Sequence, residues 1–133
     1  MSAPARPIAA IAAIAAIEGL GLLGYALFDL IQSLRTGITG PADVSNVPAV
    51  VVQIVIQTLF GAGLLWVARG WWTRKRWARA PFLVAQILAV LVGYDLVQSV
   101  GTTERTVGIV FAVLATIGIV LVFLPGVARE IDP

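Results

Sequence analysis

Apolar residues along this chain fall in long runs, not in the short alternating blocks of a water-soluble fold. Four runs with few charges lie roughly at 8–34, 48–68, 81–100 and 106–125. Each reaches the length of about 18 residues or more at which a helix can cross a hydrocarbon core. The second run opens on Val and Ile, which favour strands in water, but a strand exposed to lipid leaves backbone groups unpaired. The pattern predicts an all-α membrane protein: four transmembrane helices in a bundle, forming one domain over 1–133.

Local signals punctuate the runs. From Ile8 to Ile17 the chain repeats Ile and Ala with a period of three. A helical turn takes about 3.6 residues, so this repeat drifts around the cylinder and spreads Ile over every face. Gly19, Gly21 and Gly24 extend a smooth surface that permits close helix approach. Arg6 ahead of an apolar run imitates a secretory signal, yet the run continues to Leu34, past a normal signal core, so an uncleaved first span is expected. Gly40-Pro41 marks the first loop, Ser45 or Asn46 is placed to cap the second helix, and Pro48 and Pro81 suit first turns. Pro125-Gly126 stops the fourth helix and leaves a short tail of mixed charge.

Polar residues inside the runs are few and patterned. Glu18, Tyr25, Asp29 and Gln32 are spaced close to whole helical turns, which puts all four on one face of the first helix. A charge near the bilayer centre costs about 2.5 to 3.5 kcal/mol, so Glu18 calls for protonation, a partner or an interior position. It reads either as a proton or cation site or as a neutral acid hydrogen-bonded to a neighbouring helix. Gln53 and Gln57 lie one turn apart on the second helix, able to donate to carboxylates on other spans. Such interhelical contacts contribute about 0.6 kcal/mol each.

One segment occurs twice. Phe28-Asp29-Leu30-Ile31-Gln32-Ser33-Leu34 recurs as Tyr94-Asp95-Leu96-Val97-Gln98-Ser99-Val100. Each copy sets an Asp and a Gln three residues apart, on one side of a helix. The second copy follows an even number of spans, so the two helical hairpins are expected to form a parallel internal repeat about an axis along the membrane normal. The Asp and Gln pairs read either as an interfacial helix ending, paired with Arg35 and Arg105, or as a shallow outward ion site. Glu18 has Val84 as its counterpart and stands outside the repeat.

Composition narrows the chemistry. The chain is 59% hydrophobic and 12% charged, with no Cys, no His and a single Met. Zinc sites, His or Met haem ligation and Ser-His or Cys-His nucleophiles are therefore excluded. No catalytic residue, metal or cofactor is expected. The net charge of +2 is local, concentrated in the connector that holds Arg69, Trp71, Trp72, Arg74, Lys75, Arg76, Trp77 and Arg79 without an acid. Cations interleaved with aromatics could suit single-stranded nucleic acid, but they match the positive-inside bias and aromatic belt of a membrane surface, and nucleic acid is not expected as a partner. The connector reads as a membrane-surface anchor on the cytoplasmic side of a bacterial cell membrane. With four spans, both termini are then cytoplasmic and both Asp-Leu-x-Gln-Ser segments face outward. Anionic lipids are candidate partners at the connector.

The run Ile17-Glu18-Gly19-Leu20, the two Asp-Leu-x-Gln-Ser segments and the connector Ala68-Arg69-Gly70-Trp71-Trp72 to Trp77, followed by Gln86, resemble a group of small uncharacterised four-span proteins of high-GC Gram-positive bacteria. The resemblance covers nearly the whole chain and implies no activity. A weaker one, carried by Glu18 in the first span, is to small multidrug resistance transporters, from which the basic connector and the two outer Asp residues depart. The leading expectation is a non-enzymatic accessory or assembly component, as a homo-oligomer or within a larger membrane complex. The alternative is a small proton- or cation-coupled transporter or channel using Glu18, with Asp29 and Asp95 as outer ligands.

Overall fold

The computed structural model describes residues 5–37 and 47–131. Among these the chain is helical throughout, without a strand. Five helices follow in order: α1 (Arg6–Thr36), α2 (Val47–Trp72), α3 (Arg79–Val97), α4 (Thr102–Val122) and α5 (Pro125–Ile131), with a single tight turn at Arg76–Ala78 leading into α3. The first four are long and apolar enough to cross a membrane, and α1·α2 and α3·α4 pack as hairpins. The proposed caps Ser45 and Asn46 and the Gly40-Pro41 turn lie outside the described residues.

By its internal contacts the chain divides into two compact units, Ala16–Trp66 and Met1–Ala15 with Val67–Pro133. In the first, α1 and α2 touch backbone to backbone. A Cβ built on Gly19 would lie 2.8 Å from the Gly61 carbonyl oxygen, and one on Gly61 would lie 2.9 Å from that of Gly19. Leu23, Leu64 and Leu65 close around this crossing. Small residues are what allow it, since between helices in lipid the attraction is mainly van der Waals contact.

The second unit carries a different crossing. A Cβ on Gly93 would meet the Gly108 carbonyl oxygen at 2.8 Å and the Ala112 nitrogen at 3.1 Å. This contact lies just below the short turn between α3 and α4, where Gln98 and Ser99 donate their N–H groups to the carbonyls of Asp95 and Leu96. At the opposite end of the hairpin, Phe82 from α3 is fully buried, with its ring tip 3.0 Å from where a Gly118 Cβ would stand. The hairpin is thus tight at the turn and propped by an aromatic ring at its other end.

The core of this unit lies at that propped end. Ile8, Ile11, Trp71, Phe82, Val122 and Val127 are essentially inaccessible. Trp71 packs edge-on against Phe82, with ring centroids 5.8 Å apart and planes at 72°. The drift predicted for the Ile-Ala repeat is visible here, because Ile8, Ile11 and Ile14 are buried whereas Ile17 is 58% exposed.

Two boundaries differ from expectation. The segment Arg69–Trp72, read as connector, is the last turn of α2. Beyond Pro125 the tail is not irregular: α4 ends at Val122 and Pro125 starts α5, where its missing N–H costs nothing in a first turn. Val127 and Ile131 are then buried, so apolar contact supplies the order that a seven-residue helix lacks alone.

The two copies of the repeated segment also fold differently. Helix α1 continues past Asp29 and Gln32 to Thr36, ended by Gly37 in the left-handed region at φ 77. Helix α3 stops at Val97, leaving Gln98 as its capping residue. The glycine crossing lies about 15 Å along the axis from Asp29 in the first hairpin but only about 3 Å from Asp95 in the second. The hairpins share a sequence motif but not a packing geometry.

Candidate functional site

The polar residues predicted on α1 and α2 are brought together in part. Gln53 donates from Nε2 to Oδ2 of Asp29 at 3.3 Å, joining the two helices beyond the glycine crossing. Gln57 lies one turn closer to Gly61, and its buried Oε1 accepts no hydrogen bond among the described residues. Glu18 sits beside Gly19 at the crossing and is only 9% exposed. The close backbone approach explains its position, because the side chain adjoining a glycine contact is drawn into the packed face.

The single polar stripe expected along α1 is not realised uniformly. Tyr25 is 55% exposed, with its ring near that of Phe28 at 6.3 Å, and Gln32 is exposed. A helix that crosses its neighbour at one point buries residues near that point and frees those further along the same face. Glu18 and Asp29 are separated by about 16 Å along the axis and do not form one site. Among the described residues, no ion pair joins Asp29 to Arg35 or Asp95 to Arg105.

On the second unit, Asp95 and Gln98 are exposed at the end of α3. Gln86, on the same helix, is fully buried beside Gly118. Thr116, within α4, turns back onto its own helix and donates to the Ala112 carbonyl at 2.7 Å. No group of three or more His, Cys, Asp or Glu among the described residues is placed to hold a metal ion.

The basic connector folds onto the end of α2. Arg74 adopts φ 58, with its N–H bonded to the Trp71 carbonyl and that of Lys75 to the Gly70 carbonyl at 2.7 Å. This pair of bonds is the Schellman ending, in which the left-handed position is ordinarily glycine. Gly70 lets Trp77 and Ala78 lie against α2, since a Cβ there would come within 2.9 Å of both side chains. Arg74 Nε donates to Oε1 of Glu130 on α5 at 2.5 Å. The same oxygen accepts the Ala5 N–H at 3.4 Å. The hydrogen bond from Arg74 holds the Glu130 carboxyl below its ordinary range, assisted by the Ala5 N–H and outweighing desolvation.

The surface-anchor set therefore needs two corrections. Trp71 is not at the surface: its ring is fully buried against Phe82, and its Nε1 has no hydrogen-bond partner among the described residues. Arg74 is engaged by Glu130. Trp72 and Trp77 remain about half exposed, and Arg69, Lys75 and Arg76 are exposed. Arg79 lies over the Phe123 ring, 5.6 Å from its centroid. Glu130 was missed from sequence because a single acid in a tail gives no sign of which cation it will meet.

No family model matches the chain, and neither a curated protein nor a solved structure does.

Proposed function

We propose that this chain is a non-enzymatic accessory or assembly component of a membrane complex, acting through the sides of its hairpins. The observation that supports this is how the polar side chains of the Ala16–Trp66 unit are used. Gln53 and Asp29 bond helix to helix, Gly19 and Gly61 lock the backbones, and yet only 17% of the α2 spanning window is buried. A hairpin held rigid at its seam, with most of its flank still apolar and uncovered, suits lateral packing against lipid and other helices. The connector's cations support an orientation in which it and both termini face the cytoplasmic side of a bacterial membrane. Purification in native membrane patches should bring down a defined homo-oligomer or larger complex. A clean monomer without partners would count against this role.

One observation favours a second reading. Glu18 is a buried carboxylate at the helix crossing, and a membrane acid held in a packed face marks proton or cation coupling in many transporters. In reconstituted vesicles, Glu18→Gln should then abolish proton-driven flux while leaving helicity unchanged. Equal flux in both proteins, or none in the parent, removes this reading.

A further inference from the structure

One acid gathers three distant parts of the chain. Through Glu130, the start of α1 at Ala5, the connector at Arg74 and helix α5 meet at the same end of their unit. They bring with them Arg6, Arg69, Lys75 and Arg129, all exposed. Glu130 is the acid among the described residues of these segments, and Arg74 already engages it. Around this charge stand the half-exposed rings of Trp72 and Trp77. Arg79 lies over Phe123, which is 62% exposed at the end of α4.

We propose that this end of the molecule is a binding surface for anionic phospholipid, with headgroup phosphates as the ligands of its cations. Indole rings at the ends of membrane-capable helices settle at headgroup depth. The stacked Arg79 and Phe123 repeat that polarity on a smaller scale, a cation toward the phosphates and an exposed ring toward the acyl chains. Cations drawn from three segments cover more surface than the connector alone, and each contributes near an anionic leaflet. Single-stranded nucleic acid would meet the same charge, but it needs aromatic faces presented to water for base stacking. Here Trp71 is buried, and Trp72 and Trp77 stand at span ends. This surface is independent of whether the hairpins act in assembly or in transport.

The test uses the full chain in bilayers of phosphatidylcholine doped with phosphatidylglycerol, with either lipid brominated on its acyl chains to quench tryptophan. At low salt the brominated phosphatidylglycerol should be enriched around the protein by about fivefold or more, roughly the factor expected for one cation. In about 0.5 M salt the ratio should fall toward one. The variant carrying Arg69→Gln, Lys75→Gln and Arg129→Gln should show a markedly lower ratio, whereas Arg35→Gln with Arg105→Gln should keep that of the parent. Glu130→Gln, which removes a negative charge while keeping a side-chain oxygen to accept from Arg74 and Ala5, should raise the ratio by about fivefold, a gain that mere loss of structure would not produce. Equal quenching by both lipids in the parent at low salt overturns the proposal. So does a preference that survives high salt or that the triple substitution leaves unchanged. Salt-sensitive binding of a short RNA to protein in neutral bilayers, lost in the triple variant and stronger than the lipid preference, would assign the surface to nucleic acid instead.

Discussion

Replacing Gly93 by alanine should loosen the α3·α4 hairpin at its tightest point. The new methyl carbon would stand 2.8 Å from the Gly108 carbonyl oxygen and 3.1 Å from the Ala112 nitrogen, where comfortable contact begins at about 3.5 Å. Both obstacles are backbone atoms, so no side-chain rotation relieves them and the helices must part by roughly 0.5 Å. A radial gap of that size forfeits about a quarter of each contact's attraction along the seam, and overpacking of this kind costs about 1 to 3 kcal/mol. Alanine returns up to about 1 kcal/mol through helix propensity, which leaves a net loss of up to about 2 kcal/mol. Gly21→Ala on α1 is the control: nothing lies within 4 Å of its Cβ position, so only the propensity gain of up to about 1 kcal/mol remains. Unfolding by SDS in mixed micelles, followed by tryptophan fluorescence and far-UV circular dichroism, measures both. If Gly93→Ala matches or exceeds the parent, or if Gly21→Ala is equally damaging, the close-contact reasoning fails.

Arg74→Gly and Arg74→Ala should separate in the same assay, because both lose the contact with Glu130 but only glycine relieves about 1 kcal/mol of left-handed backbone strain. In a Glu130→Gln background, Arg74→Gly should therefore be more stable than Arg74 itself. Gln53→Leu should cost the α1·α2 hairpin about 0.6 kcal/mol, the average for an interhelical contact in a membrane, and Asp29→Asn should change little beyond that in the double variant. Docking of α5 should depend on pH with a definite sign. The Glu130 carboxyl titrates below its ordinary 4.5 when folded, so its contribution is complete above that value and is lost as the pH falls through the lowered one. Protection of the amides at 127–131, taken relative to the intrinsic exchange rate at each pH, should fall on acidification in the parent and show no such dependence in Glu130→Gln.

Most of the architecture was legible in the residues themselves. A helix that satisfies its own backbone is the open structure lipid allows, so apolar length, together with Pro48, Pro81 and Pro125, suffices to count and place four helices long and apolar enough to cross a membrane. Charge at the connector was equally plain, because Arg and Lys carry the same sign wherever the chain takes them. The sequence could not say which of several glycines would be the crossing points. Gly19, Gly21 and Gly24 look alike in a string, yet only Gly19 meets another backbone, since selection among them depends on where the facing helix offers Gly61. The same limit applies to the polar stripe, in which equal spacing put Glu18 and Tyr25 on one face but the crossing buried one and left the other 55% exposed.

By itself, then, the chain determined its helices, their apolar length and its asymmetry of charge, all properties that follow from local composition and backbone hydrogen bonding. The tertiary structure alone decided that the twin Asp-Gln segments have different surroundings, that Trp71 belongs to a core, and that Glu130 gathers the connector, the first helix and the last. Those depend on distances between residues far apart in sequence, and side-chain contact over a few ångströms is not encoded in any local pattern.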